Sequence, residues 1–362
     1  MFMLGCSSQF LVAGGVMNID RSLPVTVTGA TGYVAGWIIK RLLEEGLTVH
    51  ATVRDPEASD KLKALNELAD ANPGTLKFFK ADLLSKKGFS EAIEGCGVVF
   101  HTASPFTSNF KDPQRDLIDP ALIGTRNVLE TAKSFDTVKR VVVTSSCAAI
   151  YTDATECDLV EGGVLTEANW NETASLDYQP YSYSKTLAER EAWRIADSAS
   201  FDLVTINPSL VMGPAIGGIP TSESFSIIER VGSGEFKQGA PRLGIGFVDV
   251  REIAEAHLRA AFTPEAEGRF ILSGHCSDLL TALLTLQDRF GNHYKLPKNA
   301  APKWLVWLLA PFIKLDRKFI ANNVNIEWRA DNSKSREVLG IEYRPLSETM
   351  NDMFEYWAEH RS

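Results

Sequence analysis

The chain has 362 residues, of which 44% are apolar and 23% are charged, a balance that is ordinary for a globular enzyme. This length suits one large α/β unit plus a smaller lobe. The net charge of −9, without any block of Lys or Arg, argues against a nucleic-acid partner.

The cysteines and histidines argue against a disulfide framework and a metal site. The chain has 5 cysteines, an odd number, and no two of them have C-x-x-C spacing. It has 6 histidines, and no two of them have H-x-x-x-H spacing. Because free cysteines are typical of a reducing compartment, we expect a cytoplasmic protein that binds no metal.

The apolar N-terminus is interpreted as an extension. A signal peptide carries positive charge before its apolar run, whereas the first basic residue here is Arg21. We expect residues 1–20 to be disordered, with Met17 as an alternative functional start, and a targeting segment as the competing interpretation.

Strand and helix patterns alternate through the first half of the chain. Short apolar, β-branched runs predict strands at residues 24–28, 47–53, 76–80, 98–101, 141–145 and 203–206, and helical spacing predicts helices at 33–45 and 58–70. Strands separated by helices form βαβ units, so residues 21–208 are predicted to be an α/β domain with a doubly wound parallel sheet.

The alternation fades after Pro208. Residues 213–218 and 232–246 are rich in Gly and Pro, so we expect residues 209–362 to form a loop-rich substrate lobe over the sheet, with some segments returning to the core. The most apolar stretch, WLVWLLAPFI at 304–313, is shorter than the about 20 residues that span a bilayer. We therefore expect no membrane span but a buried or pocket-lining helix, with a membrane-surface helix as the alternative.

A glycine-rich turn joins the first predicted strand to the first helix. Its skeleton is G-x-x-G-x-x-A, in which Gly29 makes the tight turn, Gly32 lets N–H groups approach a pyrophosphate, and Ala35 lets the helix pack closely. The helix N-terminus favours an anion. We expect a dinucleotide at this turn, held by Gly29, Thr31, Gly32, Tyr33 and Val34, against the alternative of a turn without a ligand.

The end of the second strand favours NADPH over NADH. An acidic residue there would hold the ribose 2′-hydroxyl of NAD, and an Arg would hold the 2′-phosphate of NADP. Arg54 comes first, and Lys61 follows seven residues later. Asp55 is the competing residue for a ribose-binding acid.

Tyr181 and Lys185 are the predicted proton-transfer pair. Reduction of a carbonyl by hydride needs a proton for the oxygen, and residues four apart share a helix face. The Lys185 ammonium is expected to lower the pKa of Tyr181 from its usual value of about 10. The second Y-x-x-x-K, at 294–298, is rejected because Pro297 disrupts a helix there.

A serine hydroxyl at the end of a central strand is the expected third group. The run VVVTSS ends in Ser145 and Ser146, either of which can bond the substrate oxygen. The alternative interpretation is that both merely cap the strand.

Eight segments together resemble a known family. In chain order, these segments are TGATGYVAGW, VHATVRDP, KADL, VFHTASP, VVTSSCAAIY, YSYSKTLAE, INPSLVMGP and FVDVREIAEAH. They occur in the order seen in extended short-chain dehydrogenases. The set most resembles the dihydroflavonol-reductase-like branch of aldehyde and ketone reductases. The resemblance implies a Rossmann fold, NADPH, and a Ser146–Tyr181–Lys185 triad. It also implies cofactor contacts at Arg54, Lys61, Asp82, Leu83, Ala103, Tyr181, Lys185 and Pro208. Apart from the resemblance, we expect substrate contacts at Ser104, Tyr151 and Phe225.

Two departures from relatives narrow the expected substrate. Tyr151 stands where plant flavonoid reductases carry a substrate-holding asparagine, and QPYSY at 179–183 replaces the NWYCY of cinnamoyl-thioester reductases. We therefore expect a small hydrophobic aldehyde or ketone as substrate, and a monomer or homodimer.

Three alternatives stay open. A nucleotide-sugar epimerase or dehydratase and an NAD-dependent hydroxysteroid dehydrogenase share the fold, although Arg54 fits NAD poorly and Cys147-Ala148-Ala149 stands where dehydratases carry acids. A catalytically silent NADPH-binding sensor or scaffold would often have lost Tyr181 or Lys185.

Overall fold

The structure, a computed structural model, describes residues 19–86, 88–104, 111–311 and 315–361. The extension predicted for residues 1–20 lies almost entirely outside these ranges. The described chain forms the strands β1 (Val25–Val27), β2 (Thr48–Val53), β3 (Thr75–Lys80), β4 (Val98–His101), β5 (Arg140–Thr144), β6 (Asp202–Pro208), β7 (Leu210–Met212), β8 (Gly244–Asp249), β9 (Gly268–Leu272) and β10 (His275–Asp278).

Helices connect or follow these strands. They are α1 (Tyr33–Glu44), α2 (Ser59–Ala71), α3 (Ser90–Ile93), α4 (Asp119–Lys133), α5 (Pro180–Ala196), α6 (Glu223–Gly232), α7 (Val250–Phe262), α8 (Leu279–Leu284), α9 (Gln287–Phe290), α10 (Lys303–Leu309), α11 (Arg317–Asn323), α12 (Ser333–Glu337) and α13 (Leu346–His360).

Seven strands form one parallel sheet in the order β3-β2-β1-β4-β5-β6-β9. This is the doubly wound Rossmann order, in which the direction of winding reverses between β1 and β4. The predicted fold class is therefore confirmed, and each of the six predicted strands matches an observed strand within two residues at either end. The seventh strand, β9, comes from beyond residue 208.

Apolar side chains alternate between the two faces of this sheet. In β5, Val142 packs into the core shared with α1 and α7, whereas Val141 and Val143 pack into the core shared with α4 and α5. Side chains in a strand point to opposite faces in turn, so a fully apolar strand supplies both cores. The helices on either face hold the strand ends at fixed positions.

A second lobe has its own apolar core. It contains the three-stranded sheet β10-β8-β7 and buried side chains of α6, α8 and α13. β7 follows β6 after a single residue, so this lobe begins where the central sheet ends.

The apolar stretch at 304–313 is not buried as we expected. Of its described part, Trp304 is 68% exposed and Leu308 is 52% exposed, while Val306 alone among the helix α10 side chains is buried. Phe312 and Ile313 lie outside the described residues. A helix this short presents one turn to its neighbours, so most of its apolar positions face outward. In the described ranges we find no helix with the length and apolar character to cross a bilayer.

Candidate active site

The predicted site residues follow the carboxyl ends of successive strands in the central sheet. Carboxyl ends of parallel strands lie at one edge of a sheet, so the fold brings these residues to a single edge. The glycine turn follows β1, Arg54 follows β2, Asp82 and Leu83 follow β3, Ala103 and Ser104 follow β4, Ser146 follows β5, and Pro208 is the last residue of β6.

The glycine turn has the geometry that a pyrophosphate requires. Gly29 has a φ of +69°, and a Cβ there would lie 2.9 Å from the Cβ of Ala103. Gly32 is the N-cap of the 12-residue helix α1, and no side chain caps it. Thr31 and Gly32 are exposed. The N-terminus of α1 therefore opens to solvent beside backbone that approaches closely, which fits an anionic dinucleotide.

Gly29→Ala is expected to weaken NADPH binding by about tenfold or more, because the new methyl group must push Ala103 and the turn apart. The matched control is Gly46→Ala, since Gly46 has a similar φ of +76° but no atom within 4 Å of the added Cβ. Both variants should lose stability, but only Gly29→Ala should change the NADPH Kd measured by fluorescence titration. Equal Kd changes in the two variants would contradict the assignment of the turn.

The end of β2 presents positive charge to solvent. Arg54 and Lys61 are both exposed, and in the described part of the chain neither forms an ion pair. The competing carboxylate, Asp55, accepts the backbone N–H of Glu57 at 3.0 Å. The acid is thus engaged in a local turn, while the guanidinium is available for a phosphate.

The ends of β1 and β4 are tied together at the point where the winding reverses. The Thr28 hydroxyl accepts the N–H groups of Thr102 and Ala103, each at 3.1 Å, and bonds to His101 Nδ1 at 3.0 Å. Burial, followed by the nearby Lys185 charge, lowers the pKa of His101 to about 3. His101 is therefore neutral and holds the two strand ends rather than titrating.

Residues after β3 form the next part of the edge. The Asp82 carboxylate accepts the N–H of Leu84 at 2.8 Å, and the Leu83 carbonyl accepts from Asn127 at 2.8 Å. These contacts fix the loop that we expect beside the adenine.

Helix α5 positions the predicted proton-transfer pair. It begins at Pro180, after Gln179 adopts a left-handed backbone conformation with φ of 54°. Lys185 lies one turn after Tyr181, with its Nζ 5.8 Å from the Tyr181 ring centroid. The Tyr181 side chain hydrogen-bonds the side chain of Ser146. The structure thus brings Ser146, Tyr181 and Lys185 together.

The predicted lowering of the Tyr181 pKa is not found in the structure. Burial raises the pKa of Tyr181 to about 12, opposed by the hydrogen bond with Ser146. Removal from water disfavours the charged phenolate, and here this effect outweighs the favourable contacts. The hydroxyl is therefore a proton donor in its resting state.

Lys185 is buried below the tyrosine. Its Nζ donates to the Ser104 hydroxyl at 3.1 Å, and burial lowers its pKa to about 8, opposed by the Glu189 carboxylate. A cavity of about 20 Å³ adjoins it, lined partly by His101, Thr125 and Ser145. This is room for about one water molecule.

Two of the predicted substrate contacts pack against neighbouring aromatic rings. Phe225 is 2% exposed and packs edge-on against Tyr33 in the core of the second lobe. Tyr151 packs against Trp328, with ring centroids 5.3 Å apart, and burial raises the pKa of its hydroxyl well above the usual value. The predicted contact of Phe225 with a substrate gains no support from this buried position. The third predicted contact, Ser104, accepts a hydrogen bond from Lys185.

Sequence reasoning missed a set of buried polar residues behind the triad. Glu189, Asn207 and Arg269 are all buried. The one sequence signal was the apolar context of two of these residues: Asn207 lies near the end of strand β6, and Arg269 lies in strand β9. Buried polar groups need partners, and Asn207 and Arg269 both donate hydrogen bonds to Glu189.

A match to a family model establishes the family of the chain. Residues 25–271 match the model described as the NAD dependent epimerase/dehydratase family. The chain belongs to this family. Family membership agrees with the resemblance to extended short-chain dehydrogenases drawn from the sequence segments.

Individual members of the epimerase/dehydratase family match most of the chain. Cinnamoyl-CoA reductase CAD2 of Medicago truncatula is 34% identical over 93% of this chain and 96% of the relative. Tetraketide alpha-pyrone reductase 2 of Arabidopsis thaliana is 40% identical over 74% of this chain and 83% of the relative. The yeast methylglyoxal/isovaleraldehyde reductase Gre2, solved with NADPH, is 28% identical with a TM-score of 0.76, covering 93% of this chain and 98% of that chain.

Proposed function

We propose that this protein reduces the carbonyl group of a hydrophobic aldehyde or ketone to the alcohol with NADPH, using Tyr181 as the proton donor. Its class is that of an NADP-dependent oxidoreductase, as its named relatives are reductases. The observation that carries the proposal is the contact between the Ser146 and Tyr181 side chains, one helical turn from buried Lys185. This group lies at the same sheet edge as the glycine turn.

The cofactor fits the residues at that edge. Backbone N–H groups after Gly29 and Gly32 would hold the pyrophosphate, and Arg54 with Lys61 would hold the 2′-phosphate. Asp82 and Leu83 would lie beside the adenine, and Ala103 and Pro208 along the ribose and nicotinamide. Bound NADPH supplies the hydride that reaches the carbonyl carbon.

The chain's own residues handle the oxygen and its proton. The Ser146 and Tyr181 hydroxyls converge, so both can donate hydrogen bonds to one carbonyl oxygen. As charge develops on that oxygen, Tyr181 gives up its proton, and the C=O group becomes CH–OH. The Lys185 ammonium stabilises the resulting phenolate and would also hold the nicotinamide ribose.

The substrate class rests on the chemistry of the pair rather than on the names of relatives. Those names cover a thioester and a pyrone reductase. Tyr181 is flanked by Pro180 and Ser182 rather than by the Trp and Cys expected of thioester reductases. A single hydride and a single proton complete the reduction of an aldehyde or ketone without a leaving group.

The proposal is tested by NADPH consumption with a panel of carbonyl compounds. The panel contains aromatic and aliphatic aldehydes, ketones, a dihydroflavonol and cinnamoyl-CoA, each assayed with NADPH and NADH in parallel. We expect turnover of aldehydes or ketones with NADPH preferred. Turnover of the thioester alone, or of no carbonyl, would overturn the proposal.

The charge of Lys185 also predicts a pH dependence. Because its pKa is lowered to about 8, the ammonium is lost as the pH rises through that value. We expect kcat/KM for NADPH, which reports the free enzyme, to be constant below pH 7 and to fall tenfold per unit well above pH 8. A profile that stays flat to pH 10 would contradict a role for the charged form of Lys185.

A further inference from the structure

Glu189 is a buried carboxylate on the catalytic helix, one turn beyond Lys185. Its side chain is fully buried and accepts hydrogen bonds from Ser145 Oγ at 2.5 Å, Asn207 Nδ2 at 2.7 Å and Arg269 Nε at 2.6 Å. Thr205 and Trp193 donate to it at 3.2 and 3.3 Å. A buried carboxylate with this many donors is held in one orientation.

Arg269 connects the Glu189 carboxylate to the loop that precedes helix α5. Its guanidinium donates to the carbonyls of Glu167, Asn169 and Ala149 at 2.9, 2.5 and 3.3 Å. It also lies 4.0 Å from the Trp170 ring centroid. The ion pair between Glu189 and Arg269 therefore joins helix α5, strand β9 and the loop that precedes helix α5.

The same pair fixes the segment that carries Ser146. Glu189 holds the hydroxyl of Ser145, the preceding residue. Asn207, itself bonded to Glu189, donates to the Ser146 carbonyl at 3.2 Å. Contacts that involve the Glu189 carboxylate, directly or through Asn207, thus hold the backbone on both sides of the Ser146 side chain.

We propose that Glu189, buried against Arg269, is a positioning residue that fixes Ser146 just beyond strand β5 and keeps Lys185 in its ammonium form. This inference rests on the proposed role of Lys185. Glu189 touches neither the expected substrate nor the expected cofactor position.

The charges around Lys185 favour this role. From its own helix Lys185 faces Tyr181 and the Glu189 carboxylate, and from the end of β4 it faces neutral His101 and the Ser104 hydroxyl. Burial favours the neutral amine, and the Glu189 charge favours the ammonium. Without that carboxylate, Lys185 would lose its proton at a lower pH.

The test compares Glu189→Gln with two matched variants. Glu191→Gln removes a carboxylate two residues away that pairs with Arg126 and Arg194 instead. Arg269→Lys keeps the charge beside Glu189 but loses the fork of donors. The readout is the alkaline limb of the pH profile, which is the fall of kcat/KM for NADPH as the pH rises above the pKa of Lys185. Circular dichroism and Tm are measured for each variant as well.

We expect Glu189→Gln to move the alkaline limb down by about half to one pH unit. Arg269→Lys should lower kcat through misplaced Ser146 but leave the limb in place, and Glu191→Gln should change neither. If Glu189→Gln does not fold, the double variant Glu189→Gln/Arg269→Met, which leaves no uncompensated charge, should show the same shift.

Two results would overturn the inference. The first is a folded Glu189→Gln protein whose kcat/KM falls equally at every pH, which is what a purely structural role predicts. The second is an unshifted limb in the double variant. Failure of the proposed function is distinct, because then the wild-type protein itself would lack an alkaline limb or would not respond to loss of Tyr181.

Discussion

Tyr181→Phe is expected to lower kcat by about 10³-fold while leaving the NADPH Kd within a factor of about two. The ring is retained, so packing on helix α5 is kept, but the proton donor and the contact with Ser146 are lost. Stopped-flow NADPH oxidation under single-turnover conditions gives the chemical step directly, and a fluorescence titration gives the Kd.

Tyr183→Phe is the matched control for this change. Tyr183 lies two residues further along the same helix and has Leu187, not a lysine, four residues after it. It should retain near wild-type turnover. An equal loss in both variants would point to disruption of the helix, and full activity in Tyr181→Phe would rule out the proton-donor role.

Arg54→Ala should lower kcat/KM for NADPH by about 10- to 100-fold and change kcat/KM for NADH by less than about threefold. A charge-assisted hydrogen bond to a phosphate contributes roughly 1.5–3 kcal/mol to binding. NADH has no 2′-phosphate, so its binding does not include this bond. Because the Arg54 side chain is exposed at the end of β2, its truncation should leave the fold intact.

Lys63→Ala provides the control for general loss of positive charge. Lys63 is exposed on α2, 3.9 Å from Glu67, and is two residues beyond Lys61. It should leave the ratio of NADPH to NADH efficiency unchanged. A parallel fall with both cofactors in Arg54→Ala would show that Arg54 does not read the 2′-phosphate.

The sheet could be predicted from sequence because its signals are local. β-branched runs between helical segments fix the strands, and the doubly wound order follows from repeated right-handed βαβ units. The pairing of Tyr181 with Lys185 is equally local, because residues four apart on a helix meet whatever surrounds them.

The errors and omissions involve contacts between distant parts of the chain. Glu189 and Arg269 are 80 residues apart, so no spacing rule could join them. The burial of Phe225 in the second lobe could not be predicted either, because an apolar residue on an amphipathic helix looks the same whether it faces a core or a pocket. The raised pKa of Tyr181 likewise depends on burial, which the local sequence does not reveal.

Helix α10 shows the same limit in the opposite direction. Its composition predicted burial, yet Trp307 and Leu309 are 43% and 42% exposed. Apolar composition indicates that a helix can pack against another element, but it does not indicate whether such an element lies beside the helix.

The position of the Tyr181 hydroxyl relative to the nicotinamide is the most direct test of this account. In a crystal structure of the protein with NADP⁺ and an unreactive carbonyl analogue, the Tyr181 Oη should lie about 3 Å from the analogue oxygen, with nicotinamide C4 about 3–3.5 Å from the carbonyl carbon. A nicotinamide bound away from helix α5, or an analogue oxygen held by other residues, would contradict it.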